Sequence, residues 1–234
     1  MRFWLTLLLL VTGCAKTKQE ETGQIRGKVL FVGKQPASKI IDLDQDPECV
    51  RAHGNRIVTD ESMILGPRAE LANVFVYIKS GIEGNSFAPP DKPVNIDQKG
   101  CWFHPRVLGI QTGQALSVTN SDPLTHNIHP MAQVNREWNQ SQSQGADPLR
   151  RRFSRPEVMI PVKCNIHGWM RSYIGVVDHP YFAVTGPDGV FQLKNVPPGS
   201  YKLAAWHEKL GVREVALALA SSAIAETAFT FKGE

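Results

Sequence analysis

Three side chains that bind soft metal ions lie within seven residues of one another. The stretch KCNIHGWM contains Cys164, His167 and Met170. Copper takes a thiolate, two imidazoles and a long axial thioether in blue-copper sites. The missing imidazole has two candidates in the run THNIHP, which contains His126 and His129. The sequence therefore predicts a copper site that joins two separate segments of the chain.

The element before this stretch is expected to aim the thiol inward. In VMIPVKC, Val158, Ile160 and Val162 share one face of a strand, and Cys164 is in phase with them. Gly168 then interrupts the run, so a tight loop should return the following residues towards the sulfur.

The rest of the chain is also dominated by a period of two. Apolar residues alternate along 74–79, 115–119 and 215–219, and Gly, Pro and Asp clusters separate these runs. Many short strands between turns favour an all-β fold of two β-sandwich domains.

The N-terminus has the pattern of an export signal. Arg2 precedes the apolar run 3–11, which is too short to span a bilayer as a helix and is typical of a secretory signal. Residues 11–14, Val-Thr-Gly-Cys, resemble the lipobox of bacterial lipoproteins. That resemblance implies a signal peptide over 1–13, a lipid on Cys14 and a polar tether over 14–22. An ordinary signal peptide cut nearby is the alternative.

The lipoprotein resemblance also implies a location. The chain would be anchored to a membrane through Cys14 and face the periplasm. Ala15 follows that cysteine where many lipoproteins retained in the inner membrane have Asp, which favours the outer membrane.

Export permits disulfides, and the cysteine count then becomes informative. Apart from the lipidated cysteine, three remain: Cys49, Cys101 and Cys164. If Cys164 binds metal, Cys49 and Cys101 are left to form a disulfide. The alternative is a Cys2His2 zinc site that these two cysteines form with His53 and His104.

The stretch 94–177 resembles the cupredoxins of the plastocyanin and amicyanin group. The run His126-Asn127-Ile128-His129 is similar to the amicyanin His-Asn-Val-His run, and the loop from Cys164 has amicyanin-like spacing. The resemblance implies that His129 is not a ligand and that Asn127 ties the two ligand loops together. It implies four copper ligands: His126, Cys164, His167 and Met170.

What this family does is then the expectation for function. The resemblance implies a carrier of single electrons between redox protein partners, with no catalytic residues. Four ligands leave no open position for a substrate, which argues against an enzyme. In this family the exposed edge of the second loop histidine, here His167, is the usual electron doorway. Trp169 and Pro130 are then the expected docking patch.

Flanking sequences resemble a second kind of module. Residues 185–211, TGPDGVFQLKNVPPGSYKLAAWHEKLG, resemble carboxypeptidase-regulatory-like (transthyretin-like) sandwiches, as does the opening run 23–36. We therefore predict that the cupredoxin domain, 91–181, is a Greek-key insertion between the two parts of this module, 23–90 and 182–234. His207 and Glu208 are expected at a surface strand end, with a peripheral metal or sugar contact as the alternative.

A second function from a different class stays open. Some relatives of the outer module bind carbohydrate, so the chain can also be a non-redox cell-surface binding module for carbohydrate or protein. Its cupredoxin-like half would then be structural or store copper.

The charge distribution does not indicate a third candidate function. The net charge of +4 is spread along the chain, and its densest cluster is 150–152, Arg-Arg-Arg. A solvated loop explains that cluster, so nucleic acid is not an expected partner.

Overall fold

The computed structural model describes residues 21–44, 46–54 and 56–233. The expected signal peptide, the lipidation site at Cys14 and the tether up to residue 20 lie outside the described residues. Within them, no helix has the length and apolar character needed to cross a membrane.

The prediction of an all-β fold is confirmed, with one short helix among the described residues. The elements in chain order are β1 Gly23–Val32, β2 Ile40–Ile41, α1 Pro47–Ala52, β3 Val58–Thr59, β4 Phe75–Ser80, β5 Val94–Lys99, β6 Trp102–His104, β7 Val107–Gln111, β8 Ala115–Asn120, β9 His126–Pro130, β10 Gln140–Gln142, β11 Leu149–Arg152, β12 Glu157–Lys163, β13 Arg171–Val177, β14 Phe182–Val184, β15 Val190–Val196, β16 Gly199–His207, β17 Gly211–Leu219 and β18 Ile224–Lys232.

Two sheets formed by residues 94–177 make what we call the inner sandwich. One sheet has the strand order β10-β9-β12-β13-β7, and the other has the order β11-β8-β5-β6. Alternating apolar side chains such as Leu116 and Val118 on β8 and Ile174 and Val176 on β13 are buried in one core. This is the packing that a period of two produces when one face of each sheet is covered.

Two further sheets make the outer sandwich, which takes its strands from both sides of the inner one. Their orders are β15-β1-β18 and β14-β4-β16-β17. Strands β1 and β4 come before residue 94, and β14 to β18 come after residue 177. These sheets enclose a separate core that includes Ile25, Leu71, Leu203 and Phe231.

The segment from β2 to β3 packs on the inner sandwich. The sequence division places these residues in the first part of the outer module, yet Leu43 and Cys49 are buried in the inner core, and Ile41 and Val50 pack against it. Helix α1 lies in this segment, beside the loops that carry the candidate ligands.

A groove of glycines joins the two sandwiches. Gly109 on β7 and Gly175 on β13 are register partners, and Phe75 of β4 and Phe182 of β14 lie against them. A Cβ at Gly175 would stand 2.6 Å from the Phe75 ring, and one at Gly109 would stand 2.3 Å from the Phe182 ring. Only a residue without a side chain permits this approach.

The predicted phase of β12 is wrong at its start. Val158 is 41% exposed and Met159 is buried, whereas Ile160, Val162 and Cys164 are buried as expected. A register shift between Glu157 and Ile160 reverses the alternation locally, as a β-bulge does.

Candidate metal centre

Adjacent antiparallel strands bring the two candidate segments together. Strand β9 begins at His126, and β12 ends one residue before Cys164. The two strands pair through Val162 with Pro130 and Lys163 with His129. The histidine of one segment therefore lies at the same end of the sheet as the loop that follows the other.

The candidate ligand atoms converge in the protein interior. The Nδ1 atoms of His126 and His167 are 2.9 Å apart, and Cys164 Sγ lies 3.8 Å from His167 Nδ1. One ligand atom from each of these three residues lies within 4.8 Å of the others. All three side chains are almost completely buried. The structure thus assembles one thiol and two imidazoles around a single point.

Met170 completes the loop that closes this cluster. Its N–H donates to the carbonyl of His167 at 3.0 Å, and its carbonyl accepts from the Cys164 N–H at 3.3 Å. The Met170 side chain is fully buried in the same core cluster as Cys164. The tight turn inferred from Gly168 therefore returns the backbone of Met170 to that of Cys164.

Asn127 links the two ligand segments. Its Oδ1 accepts from the Asn165 N–H at 2.6 Å and lies 3.3 Å from the Cys164 sulfur. Its Nδ2 donates to Asn139 Oδ1 at 2.6 Å. The residue after the first histidine thus holds the residue after the cysteine, which is the position the resemblance implied for it.

Each candidate histidine is bound at its far nitrogen by a carboxylate. Asp122 Oδ2 lies 2.7 Å from His126 Nε2, and Asp46 Oδ2 lies 3.0 Å from His167 Nε2. A carboxylate at Nε2 keeps a proton on that nitrogen and leaves Nδ1 to face the centre. Both rings are therefore oriented as metal-binding histidines are.

The electrostatics of the cluster favour a thiolate. Burial raises the pKa of Cys164, but hydrogen bonds with His126 and His167 outweigh it and lower that pKa to about 5. Burial lowers the pKa of His126, while Asp122 and Cys164 raise it to about 9. The pKa of His167 is raised by Cys164 and Asp46 against the effect of burial. The thiol is thus ionised at neutral pH, which is the form that binds metal.

This donor set fits copper. A first-row metal ion binds imidazole nitrogen at about 2.0 Å and thiolate sulfur at about 2.3 Å, so donors this close together need only small movements to share one ion. One thiolate, two imidazoles and a buried thioether are the set that selects copper for electron transfer.

The expected electron doorway is not exposed. His167 is 2% exposed, and Asp46 covers the nitrogen that should have faced solvent. Pro130 is also buried, so it does not form an exposed docking patch with Trp169 as expected. Trp169 is partly buried, and its ring centroid lies 5.2 Å from that of His167. His167 is covered because the segment from β2 to β3 packs over its loop.

Cys49 and Cys101 form a disulfide, which removes both from the alternative zinc set. His53 Nε2 instead bonds the carbonyl of Gly100 at 2.7 Å, and His104 is exposed. His129 lies outside the cluster and contacts Glu137.

Sequence reasoning missed the two carboxylates. Asp122 precedes Pro123 in one of the turn clusters between the apolar runs and lies four residues before His126. Asp46 begins helix α1, where its side chain accepts from the N–H groups of Glu48 and Cys49. The run Asp-Pro-Glu is a helix-start signal that would have located this helix, but no local pattern would have placed it beside His167.

Two residues of the outer sandwich are not at a surface strand end as expected. His207 is buried, and burial lowers its pKa to about 4. Glu208 accepts two hydrogen bonds from Arg106 of the inner sandwich, and both side chains are about 5% exposed. Glu208 therefore lies at the junction between the sandwiches, whereas the His207 ring packs near Phe231 of the outer sandwich.

No protein-family model matches the sequence, and no curated protein matches it. Among solved structures, the chain is similar to a copper-containing nitrite reductase from Thermus scotoductus SA-01, with 21% identity over 43% of this chain and 26% of that one, at a TM-score of 0.35. It is also similar to an oxidised amicyanin variant, with 18% identity over 43% of this chain and 97% of that one, at a TM-score of 0.33. A purple cupredoxin from Nitrosopumilus maritimus is similar with 19% identity. The match covers 35% of this chain and 97% of that one, at a TM-score of 0.30.

Proposed function

We propose that this chain is an exported type 1 copper protein that carries single electrons between redox protein partners. The observation that carries the proposal is the buried convergence of His126, Cys164 and His167, with Met170 in the same loop. Bound there, copper supplies a one-electron couple between Cu(I) and Cu(II).

The chain's own residues would keep electron transfer to and from this site fast. Rigid strands hold the histidine and the cysteine, and Asn127 fixes the distance between their segments. A site that moves little when its charge changes needs little reorganisation. Burial of all four side chains leaves substrates no open approach, which supports a carrier rather than an enzyme.

A copper titration tests this function. One equivalent of Cu(II) added to the metal-free protein should give an intense visible charge-transfer band from thiolate bonding, and a reversible one-electron wave in voltammetry. Cys164→Ser and His126→Gln should abolish the band. His129→Gln, three residues along the same strand, is the matched control and should retain it.

The same experiment separates the alternative functions. A non-redox binding module would give no band with Cu(II). A copper-storing domain would bind the metal but release it, or fail to return to its starting spectrum, when it is reduced and reoxidised. Either result would overturn the electron-carrier proposal.

Location and anchoring are part of the proposal. The charged and apolar pattern before Cys14, together with the lipobox, supports a lipid anchor that holds the chain on the periplasmic side, more readily at the outer membrane. Metabolic labelling with a fatty acid should label the wild type and leave Cys14→Ala unlabelled. A labelled Cys14→Ala protein would contradict the assignment.

The outer sandwich is proposed to be a carboxypeptidase-regulatory-like module that carries the copper domain. Its separate core and its two-part strand order support this. Carbohydrate is the candidate ligand, and binding to a polysaccharide column by a variant lacking copper would support that second role.

A further inference from the structure

The carboxylates behind both candidate histidines lead to the same disulfide. Each half-cystine donates its backbone N–H to one of them: Cys49 to Asp46 at 3.3 Å, and Cys101 to Asp122 at 2.8 Å. We propose that the Cys49–Cys101 disulfide, with Asp46 and Asp122, is an outer clamp that positions His126 and His167. The inference rests on the proposed function.

The first arm of the clamp runs through helix α1. Asp46 caps this helix with Oδ1 and holds His167 Nε2 with Oδ2. A helix of six residues is too short to be stable alone, so its position depends on what ties it to the sandwich. The fully buried disulfide at Cys49 is a covalent tie at that place.

The second arm runs through the turn that carries Cys101. The N–H groups of Gly100 and Cys101 both donate to Asp122, which holds His126 Nε2 at 2.7 Å. This carboxylate is 5% exposed on its side chain, so the bonds are made in the protein interior. Moving the turn would move the histidine with it.

A third contact reaches the ligand loop directly. Trp169 Nε1 donates to the carbonyl of Cys101 at 3.1 Å, and Trp169 lies between His167 and Met170 in the sequence. The two half-cystines are therefore linked to the candidate ligand segments by three sets of hydrogen bonds: two through carboxylates and one through this indole.

The clamp would orient the two imidazole rings. Asp46 and Asp122 accept from the Nε2 positions, which keeps both Nδ1 atoms directed at the shared centre. Partners of this kind orient metal-binding histidines, and their loss lowers metal affinity by about 10- to 100-fold. Asp46, Asp122 and the disulfide are therefore positioning groups that do not themselves bind the metal.

Asp46→Asn is the sharpest test of the first arm. The amide can still cap the helix, because Asn is as good a cap as Asp. Its NH2 group then faces the His167 N–H, so the hydrogen bond to the ring is lost. Asp44→Asn, an exposed carboxylate two residues earlier in the sequence, is the matched control.

The readouts are the Cu(II) spectra and the rate of copper loss to a chelator. Asp46→Asn should retain the charge-transfer band but shift it, change the electron paramagnetic resonance spectrum, and release copper at least 10-fold faster. Asp44→Asn should match the wild type. The double variant Cys49→Ser/Cys101→Ser should reproduce the shift, and adding Asp46→Asn to it should have little further effect.

A metal-free measurement separates the two proposals. The wild type should show slowly exchanging Nε2–H resonances from both His126 and His167, and Asp46→Asn should lose that of His167. If these resonances behave as expected but copper gives no thiolate band, the proposed function fails and the clamp stands. If copper binds normally and neither Asp46→Asn nor the disulfide variant changes the spectra or the release rate, the clamp is wrong and the function stands.

Discussion

At the scale of single residues, the central feature is a thiolate between two imidazoles with a carboxylate behind each ring. The cluster places negative and positive charge in the interior, where an unpaired charge is costly. Every member has a partner: Asp122 with His126, Asp46 with His167, and both rings with Cys164. The buried charges of the cluster are therefore paired with one another, and the three candidate ligand atoms lie within 4.8 Å of one another.

The pKa of Cys164 makes a prediction about the metal-free protein. The thiolate should protonate as the pH falls through about 5, far below the ordinary value of 9.0. Because the folded pKa is the lower one, the stability that this group contributes is present above pH 9 and is lost as the pH falls through about 5. Ultraviolet thiolate absorbance, with Cys164→Ser as the blank, measures the midpoint. A midpoint near 9 would contradict this electrostatic account.

Asn127 makes a second prediction at this scale. Asn127→Ala leaves the Asn165 N–H without its acceptor, so the free energy of unfolding of the metal-free protein should fall by about 1–3 kcal/mol. Asn139→Ala removes only the partner of the amide NH2 group and should cost less. Urea denaturation measures both. Equal losses from the two substitutions would show that the link between the segments is unimportant.

At the scale of elements, the strands could be predicted and the covering segment could not. Alternation located β4, β8 and β17, because each strand packs one face against a core. It failed at Val158, where a bulge changes the phase that a period of two assumes. It also could not show that α1 lies over the ligand loop, since that contact spans 121 residues and depends on tertiary packing.

The candidate site was also only partly predictable from the sequence. Residue type and spacing pointed to Cys164, His167 and Met170, because that loop is a local feature. The resemblance to cupredoxins was needed to choose His126 over His129. The exposure of His167 was wrongly expected, since the covering helix belongs to a distant part of the chain. Long-range hydrogen bonds leave no periodic signal in a sequence.

The glycine groove between the sandwiches predicts a cost for a single methyl group. Gly175→Ala would place a Cβ 2.6 Å from the Phe75 ring, and overpacking of this kind costs about 1–3 kcal/mol. Gly186→Ala, where the nearest atom is 3.5 Å away, is the control and should change stability by less than about 0.5 kcal/mol. Thermal unfolding followed by circular dichroism compares them. A neutral Gly175→Ala would show that the two sheets separate readily.

At the scale of the whole molecule, the two sandwiches are joined by apolar and charged contacts. Phe75, Val107, Met159 and Val177 form a third apolar cluster at the junction. Beside it, Arg106 pairs with Glu208, and both side chains are nearly inaccessible. A buried pair of this kind is costly to break because one charge would be left without its partner.

The insertion model predicts that the outer sandwich folds without the inner one. A chain in which short Gly/Ser linkers replace 92–180 and also 40–59, the segment that packs on the inner sandwich, should give dispersed amide resonances and cooperative unfolding, since its strands enclose their own core. Glu208→Gln should be included because the deletion removes Arg106. An unfolded product would contradict the two-part organisation.

The most direct test of the central claim is X-ray absorption at the copper edge of the protein loaded with one equivalent of Cu(II). The account predicts two nitrogen neighbours and one short sulfur neighbour, and loss of that short sulfur distance in Cys164→Ser. A first coordination sphere of nitrogen and oxygen alone in the wild type would show that Cys164 does not bind the metal, and the proposed electron carrier would be wrong.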